Sequence, residues 1–234
     1  MRRFLLGGLL LVTMAAAQSS SLRLLDDPFQ EESFSSVPGY QQGALLNLFG
    51  AWDKASQYQR LHGGACHEAL MVDAVAQGSF TAPGVAEKAY LYTYCQTGRQ
   101  IFQQALAVTR GDRLVLNILL TNAGAHGLTG VRDVNQNGIS ELMLHWFGTG
   151  QGYSEQGITL IELSGKAYRT LLNVTTQSTN CGAVTGDPGS PEPLIRSRVV
   201  RVEPGKTPRF FADVYEDDCT PGGHRLVSKQ ESLK

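Results

Sequence analysis

Hydrophobic and polar positions change their period once along the chain. Between Gln41 and about Leu61, the residues Leu45, Leu48, Phe49, Trp52 and Ala55 recur at helical spacing. This predicts one N-terminal amphipathic helix that covers a sheet, with Trp52 on its core-facing stripe. Beyond the helix the period falls to two. Strands are predicted over 66–76, 87–96, 101–109, 113–121, 140–147, 157–163, 167–174, 195–202, 208–215 and 223–228, with Gly, Asn, Asp and Pro between them at hairpin spacing. Residues 18–40, broken by Pro28 and Pro38, read as a poorly ordered leader. Residues 41–174 then form the main body, 175–193 a linker loop almost free of large apolar side chains, and 194–234 a C-terminal β segment. The fold class is mostly β.

The middle of the chain repeats itself. Gly84 and Gly138 stand 54 residues apart, and so do Glu87 and Glu141, Gly98 and Gly152, Leu106 and Leu160, and Gly111 and Gly165. The shared glycines and acid each precede the same kind of strand, which defines two units over about 66–120 and 121–174. In the second unit the turn reads Asp133-Val134-Asn135-Gln136-Asn137-Gly138-Ile139-Ser140-Glu141. It resembles the acidic loop of FG-GAP/VCBS-type repeats, the integrin-like β-propeller blades. That resemblance implies a partial β-propeller or a related antiparallel β-array, with oxygen ligands at the first, third, fifth and ninth loop positions.

Calcium takes six to eight oxygen ligands at about 2.3–2.6 Å from a flexible loop. Asp133, Asn135 and Asn137 can turn oxygens inward, Gly138 allows the bend, the Ile139 carbonyl can contribute, and Glu141 closes the ring. Only Asp133 and Glu141 are charged, which implies modest affinity. An EF-hand fits less well, because Leu144 stands where its twelfth position needs an acid. In the first unit the corresponding positions are Ser79, Thr81 and Pro83, with only Glu87 retained, so that copy is expected to keep the turn without the metal. A plain hairpin turn would use Asn137-Gly138 equally well but gives no reason for oxygens at 133, 135 and 141.

The first 17 residues change the picture of where the chain works. Arg2 and Arg3, the apolar run Phe4–Met14 and Ala15-Ala16-Ala17 have the layout of a secretory signal peptide, which predicts a secreted or periplasmic protein. The full chain has 20 Lys+Arg and 21 Asp+Glu; without Arg2 and Arg3 the balance is 18 to 21, a formal charge of −3. No basic field suits nucleic acid, and no later apolar run approaches the ~20 residues of a membrane span. Four cysteines in an exported chain read as two disulfides. Of three possible connectivities, Cys66–Cys95 with Cys181–Cys219 is favoured because each bridge staples one half of the chain.

No enzymatic constellation emerges. Cys66 and His67 are adjacent, and on a strand they point to opposite faces. His62-Gly63-Gly64 has no G-x-S-x-G nucleophile to serve, and the glycine run 148–152 is followed by no helix that could present a phosphate site. The histidines at 62, 67, 126, 145 and 224 show no zinc spacing, and Glu216-Asp217-Asp218 reads as a solvated turn. Tyr90, Tyr92 and Tyr94 alternate along one strand, and the offset of 54 carries Tyr92 onto Trp146. An exposed Tyr92/Trp146 face would suit a glycan or peptide; packed in the core, the rings would form cross-strand pairs. The expectation is a non-enzymatic binding or structural module with a calcium loop and a protein or glycan partner. The alternatives are an aromatic binding face and, more distantly, an exported hydrolase.

Overall fold

The computed structural model describes residues 22–63, 66, 70–98, 101–121, 124–183, 192–219 and 223–233. Residues 1–17, which the sequence reads as a signal peptide, and His67 lie outside them. The elements in chain order are β1 (Arg23–Asp26), α1 (Gly39–Leu48), α2 (Ala51–His62), β2 (Met71–Gly78), β3 (Glu87–Gly98), β4 (Ile101–Arg110) and β5 (Arg113–Leu119). They continue with β6 (Ala125–Val131), β7 (Glu141–Gly150), β8 (Tyr153–Ser164), β9 (Ala167–Thr179), β10 (Ile195–Glu203), β11 (Arg209–Asp217) and β12 (Arg225–Leu233). The fold is mostly β, as the period of two predicts. None of the described helices is long and apolar enough to cross a membrane.

Two antiparallel sheets carry these strands. One is the meander β2-β3-β4-β5; the other has eight strands in the order β12-β11-β10-β9-β8-β7-β6, with β1 added beside β10. The strands follow the 54-residue spacing: β2, β3 and β5 begin at 71, 87 and 113, and β6, β7 and β9 begin at 125, 141 and 167. One core joins the two sheets, with Leu91, Leu106 and Val108 against Leu142, Leu144 and Ile161. Because strand side chains alternate between faces, Met143 points the other way, into a second core with Ile158, Leu160, Val200 and Val202. On β10 one edge is filled by β11, while β9 and β1 share the other: β9 pairs over 195–197 and β1 over 200–202.

Several elements differ from the sequence expectation. The single helix over 41–61 is two helices. Gly50 takes the left-handed conformation (φ 61°) between them, so the helical phase does not carry across it. Phe49 and Ala51 are buried in consequence, whereas Trp52 is 60% exposed and off the core-facing stripe. The leader expected over 18–40 contributes a strand, β1, and Phe34 packs where Gly127 leaves room for its ring. Strand β6 has no counterpart in the predicted list; its Gly127, Gly130 and His126 hide the alternation. Residues 148–150 of the glycine run belong to β7, and the run closes the β7–β8 hairpin through Gln151 and Gly152, both at positive φ. The predicted linker is strand up to Thr179, its residues 184–191 lie outside the described set, and the C-terminal strands extend the same sheet as β6–β9.

Both expected disulfides are present. Cys66–Cys95 ties the segment after α2 to β3, and Cys181–Cys219 joins the ends of β9 and β11. The helices are further fixed by Tyr92, whose hydroxyl donates to Asn117 Oδ1 (2.8 Å), while Asn117 Nδ2 donates to the Phe49 carbonyl (2.7 Å). Between the sheets, the buried Gln104 side chain acts like a piece of strand. Its Nε2 donates to the Ala125 carbonyl (2.7 Å) and its Oε1 accepts from the Ala125 N–H (2.8 Å). Asp73 Oδ2 accepts from Gln104 Nε2 (3.2 Å) and from the Thr93 hydroxyl (2.8 Å).

Burial pushes the Asp73 carboxyl up from 3.8 to about 6, against the opposing effect of these two hydrogen bonds. A carboxyl with a raised folded value favours the folded state fully only below its unfolded value, and loses that contribution as pH rises through about 6. Asp73→Asn keeps an acceptor for both donors and removes the ionisable proton. We expect the variant to be more stable than the parent at about pH 7.5, by roughly 1–3 kcal/mol, and equal to it near pH 4. Denaturant midpoints across this range check the difference.

Candidate metal centre at the second acidic turn

Glu87 and Glu141 open β3 and β7, the second strand of each unit, and both are buried. Each reaches back over its preceding turn to the backbone seven residues earlier. Glu87 Oε2 accepts from the Phe80 N–H at 2.8 Å, and Glu141 Oε2 accepts from the Val134 N–H at 2.9 Å. Phe80 and Val134 are themselves 54 apart, so the same bond is made in both copies. The turns also touch: the Ser140 N–H donates to the Ser79 carbonyl (2.9 Å), and Gly138 faces the Pro83 ring, where a Cβ would lie 3.2 Å from two ring atoms. Gly138 has φ 85°, so the bend predicted for it is real.

The rest of the two acids' surroundings differ. Glu87 is saturated: Oε2 takes the Thr81 N–H (2.7 Å), while Oε1 takes the Thr81 hydroxyl (2.5 Å) and the Arg110 guanidinium (3.0 Å). Burial alone would raise this carboxyl, but the Thr81 hydroxyl and N–H, Arg110 and the Phe80 N–H together hold it below its ordinary value. Glu141 is fully buried, its Oε1 has no hydrogen-bond partner, and among the described residues no cation pairs with it. Burial pushes it up to about 7; the Val134 N–H opposes this, and the charges of Asp133 and Glu162 add to it. Arg23 of β1 interacts with it electrostatically, while its guanidinium donates to the Arg132 carbonyl at 2.5 Å.

The predicted ligands form a partly assembled set. Asp133 folds over the turn, with Oδ1 accepting from the Asn137 N–H (3.2 Å) and Oδ2 from the Gly138 N–H (2.7 Å). Asn135 Oδ1 accepts from the same Asn137 N–H (3.2 Å), which brings it beside Asp133; its buried Nδ2 has no partner. Asn137 behaves differently: Oδ1 accepts from the Ile139 N–H (2.8 Å), and Nδ2 donates outward to Glu162 of β8. Asp133, Asn135 and Glu141 are therefore gathered at the turn, while the Asn137 side chain is committed elsewhere. An oxygen set of this kind suits a hard cation. Glu162 and Arg23 were not legible as neighbours, since neither lies near the turn in sequence nor recurs at the 54-residue offset.

The weaker aromatic candidates separate. Tyr92 is fully buried beneath Phe49 (ring centroids 5.2 Å apart) and is not open to a ligand. Trp146 is half-buried on the other sheet, where Gly157 leaves space for its ring. It borders a cavity of about 390 Å³ together with Leu144, Phe147 and Tyr168. All four cysteines are in disulfides, and Cys66 is thus no free thiol. Gly63 caps α2 in the left-handed conformation. No known family model matches the chain, and no curated protein matches it.

Removing the Arg110 charge leaves the Glu87 carboxylate buried with neutral donors only. We expect Arg110→Ala to destabilise the fold by about 1–3 kcal/mol, less than for a fully buried pair because Arg110 is half exposed. In the double variant with Glu87→Gln most of that loss is expected to disappear, as read from a double-mutant cycle of denaturant midpoints.

Proposed function

We propose that the protein is an exported, non-enzymatic binding or structural module whose 133–141 turn takes a calcium ion and is stiffened by it. What supports this is the contrast between the two acids. At the first turn Arg110 neutralises Glu87. At the second, Glu141 Oε1 is buried without a partner, at the end of the turn that carries Asp133 and Asn135. A divalent cation there would do for Glu141 what the guanidinium does for Glu87. The reading extends the resemblance of the turn to FG-GAP/VCBS-type loops, and two disulfides together with the N-terminal signal layout favour a secreted or periplasmic setting. The partner class is a protein or a glycan.

A second reading, an aromatic glycan- or peptide-binding face, now rests on Trp146 and Tyr168 beside their cavity, since Tyr92 is buried. Among the described residues no nucleophile–base pair supports a hydrolase.

With a dissociation constant of about 10⁻⁴–10⁻³ M, calcium at about 5 mM would stabilise the fold by about 1–2 kcal/mol. The expected result is a melting temperature a few degrees higher in calcium than in chelator, with no shift in Asp133→Ala. A melting curve of the parent unchanged at 5 mM calcium would overturn the proposal.

A further inference from the structure

A second group of ligating side chains lies away from the acidic turn. One oxygen of Asp26, one oxygen of Glu32 and one ring nitrogen of His145 all lie within 4.8 Å of one another. Asp26 ends β1, Glu32 follows six residues on, and His145 sits on β7 on the same face as Met143. A pocket of about 210 Å³ opens over them. His145 Nδ1 is 3.0 Å from Glu32 Oε1, and its Nε2 is 3.2 Å from the Thr129 hydroxyl. His126 Nε2 lies 3.5 Å from the other Glu32 oxygen. Phe34 flanks the His145 ring, with centroids 4.7 Å apart.

Two lone-pair atoms 3.0 Å apart need a positive centre between them, either a proton or a metal ion. A proton on His145 serves Glu32 but not Asp26: although Thr176 interacts with this carboxyl, the residue is only 8% exposed and its Oδ2 is buried with no hydrogen-bond partner. A metal ion serves all three groups at once. The Thr129 hydroxyl is placed to accept an Nε2–H, which would leave Nδ1 as the ligand atom, the outer-shell arrangement that metal-bound histidines use. Ligand bonds of about 2.0–2.2 Å place tetrahedral ligands about 3.4 Å apart, which small side-chain rotations reach from the present spacing.

We propose that Asp26, Glu32 and His145 form a site for a divalent transition-metal ion of the zinc class, with His126 or water in the fourth position. The ring nitrogen selects a borderline ion over calcium or magnesium, which prefer oxygen alone. The ion clasps the N-terminal segment to β7, joining two parts of the chain that the helices and the first sheet separate. This site is independent of the calcium-binding turn.

The test titrates zinc chloride into the chelator-treated full chain by calorimetry and repeats the melting curve. One equivalent is expected to bind at micromolar concentration or tighter and to raise the melting temperature by several degrees. Cobalt(II) is expected to give the visible bands of a four-coordinate ion. Asp26→Asn and Glu32→Gln each relieve a charge without removing bulk, so both should fold. Each is expected to weaken zinc at least about tenfold, with the metal-dependent shift lost in proportion. Asp133→Ala is expected to keep the full zinc response. No binding at 100 µM zinc would overturn the proposal, as would parental affinity in both the Asp26 and Glu32 variants, which would place any bound zinc elsewhere.

Discussion

A carboxylate buried at the head of a strand obliges the chain to supply it with donors or with a cation. The two turns that lead into β3 and β7 are organised around that obligation. In each, the acid bonds the N–H seven residues back and so fixes the width of the turn, the start of the strand and the face that strand presents to the shared core. Leu91 and Leu142, on opposite sides of the inter-sheet core, take their orientation from strands that begin at Glu87 and Glu141. The first copy meets the remaining electrostatic demand with Arg110 and Thr81. At the same offset the second copy has Asn135 in place of Thr81 and Ser164 in place of Arg110, so its turn, which also carries Asp133, gains no positive charge. The two turns pack on one another through Ser79, Ser140, Pro83 and Gly138, so rigidity in one is passed to the other.

The sheets are held together by apolar packing and by a polar network sunk within it. Gln104 is 2% exposed and bonds both backbone groups of Ala125, which makes the crossing between the units as specific as a strand pair. Such a network fixes the relative position of the two layers more tightly than leucine and valine could, because a shifted sheet would strand buried donors and acceptors. Its weak point is Asp73, an acid that pays for its hydrogen bonds with a buried negative charge above about pH 6.

Period and spacing carried the fold class and most strands, because those depend on local alternation and on turn residues. What escaped the sequence depends on contacts between distant residues. The helix break at Gly50 is masked because the apolar spacing continues across it by coincidence. β6 is masked because its glycines make room for Phe34 and for the Gln77 backbone in place of apolar alternation. β1 is four residues long and gains its strand geometry only from β10. For the site, Asp133, Asn135 and Glu141 were readable from one contiguous motif. Arg110, 23 residues from Glu87, carries no local mark of its role. The same holds for Asp26, Glu32 and His145: histidine spacing suggested no metal site, since two of the three ligands are acids from the leader.

The divided edge of β10 bears on the order in which the molecule can assemble. Arg23 pairs with Val202, so β1 must wait for a strand that follows it far along the chain. The β2–β5 meander needs only neighbouring hairpins and can form early, whereas closing so long a loop is slow and comes late. Until β1 arrives, the backbone of β10 beyond Ser197 offers unpaired N–H and carbonyl groups on that side, a template on which another chain can pair. The short N-terminal strand thus works as a seal: its late docking ends the interval in which the protein is open to edge-to-edge aggregation.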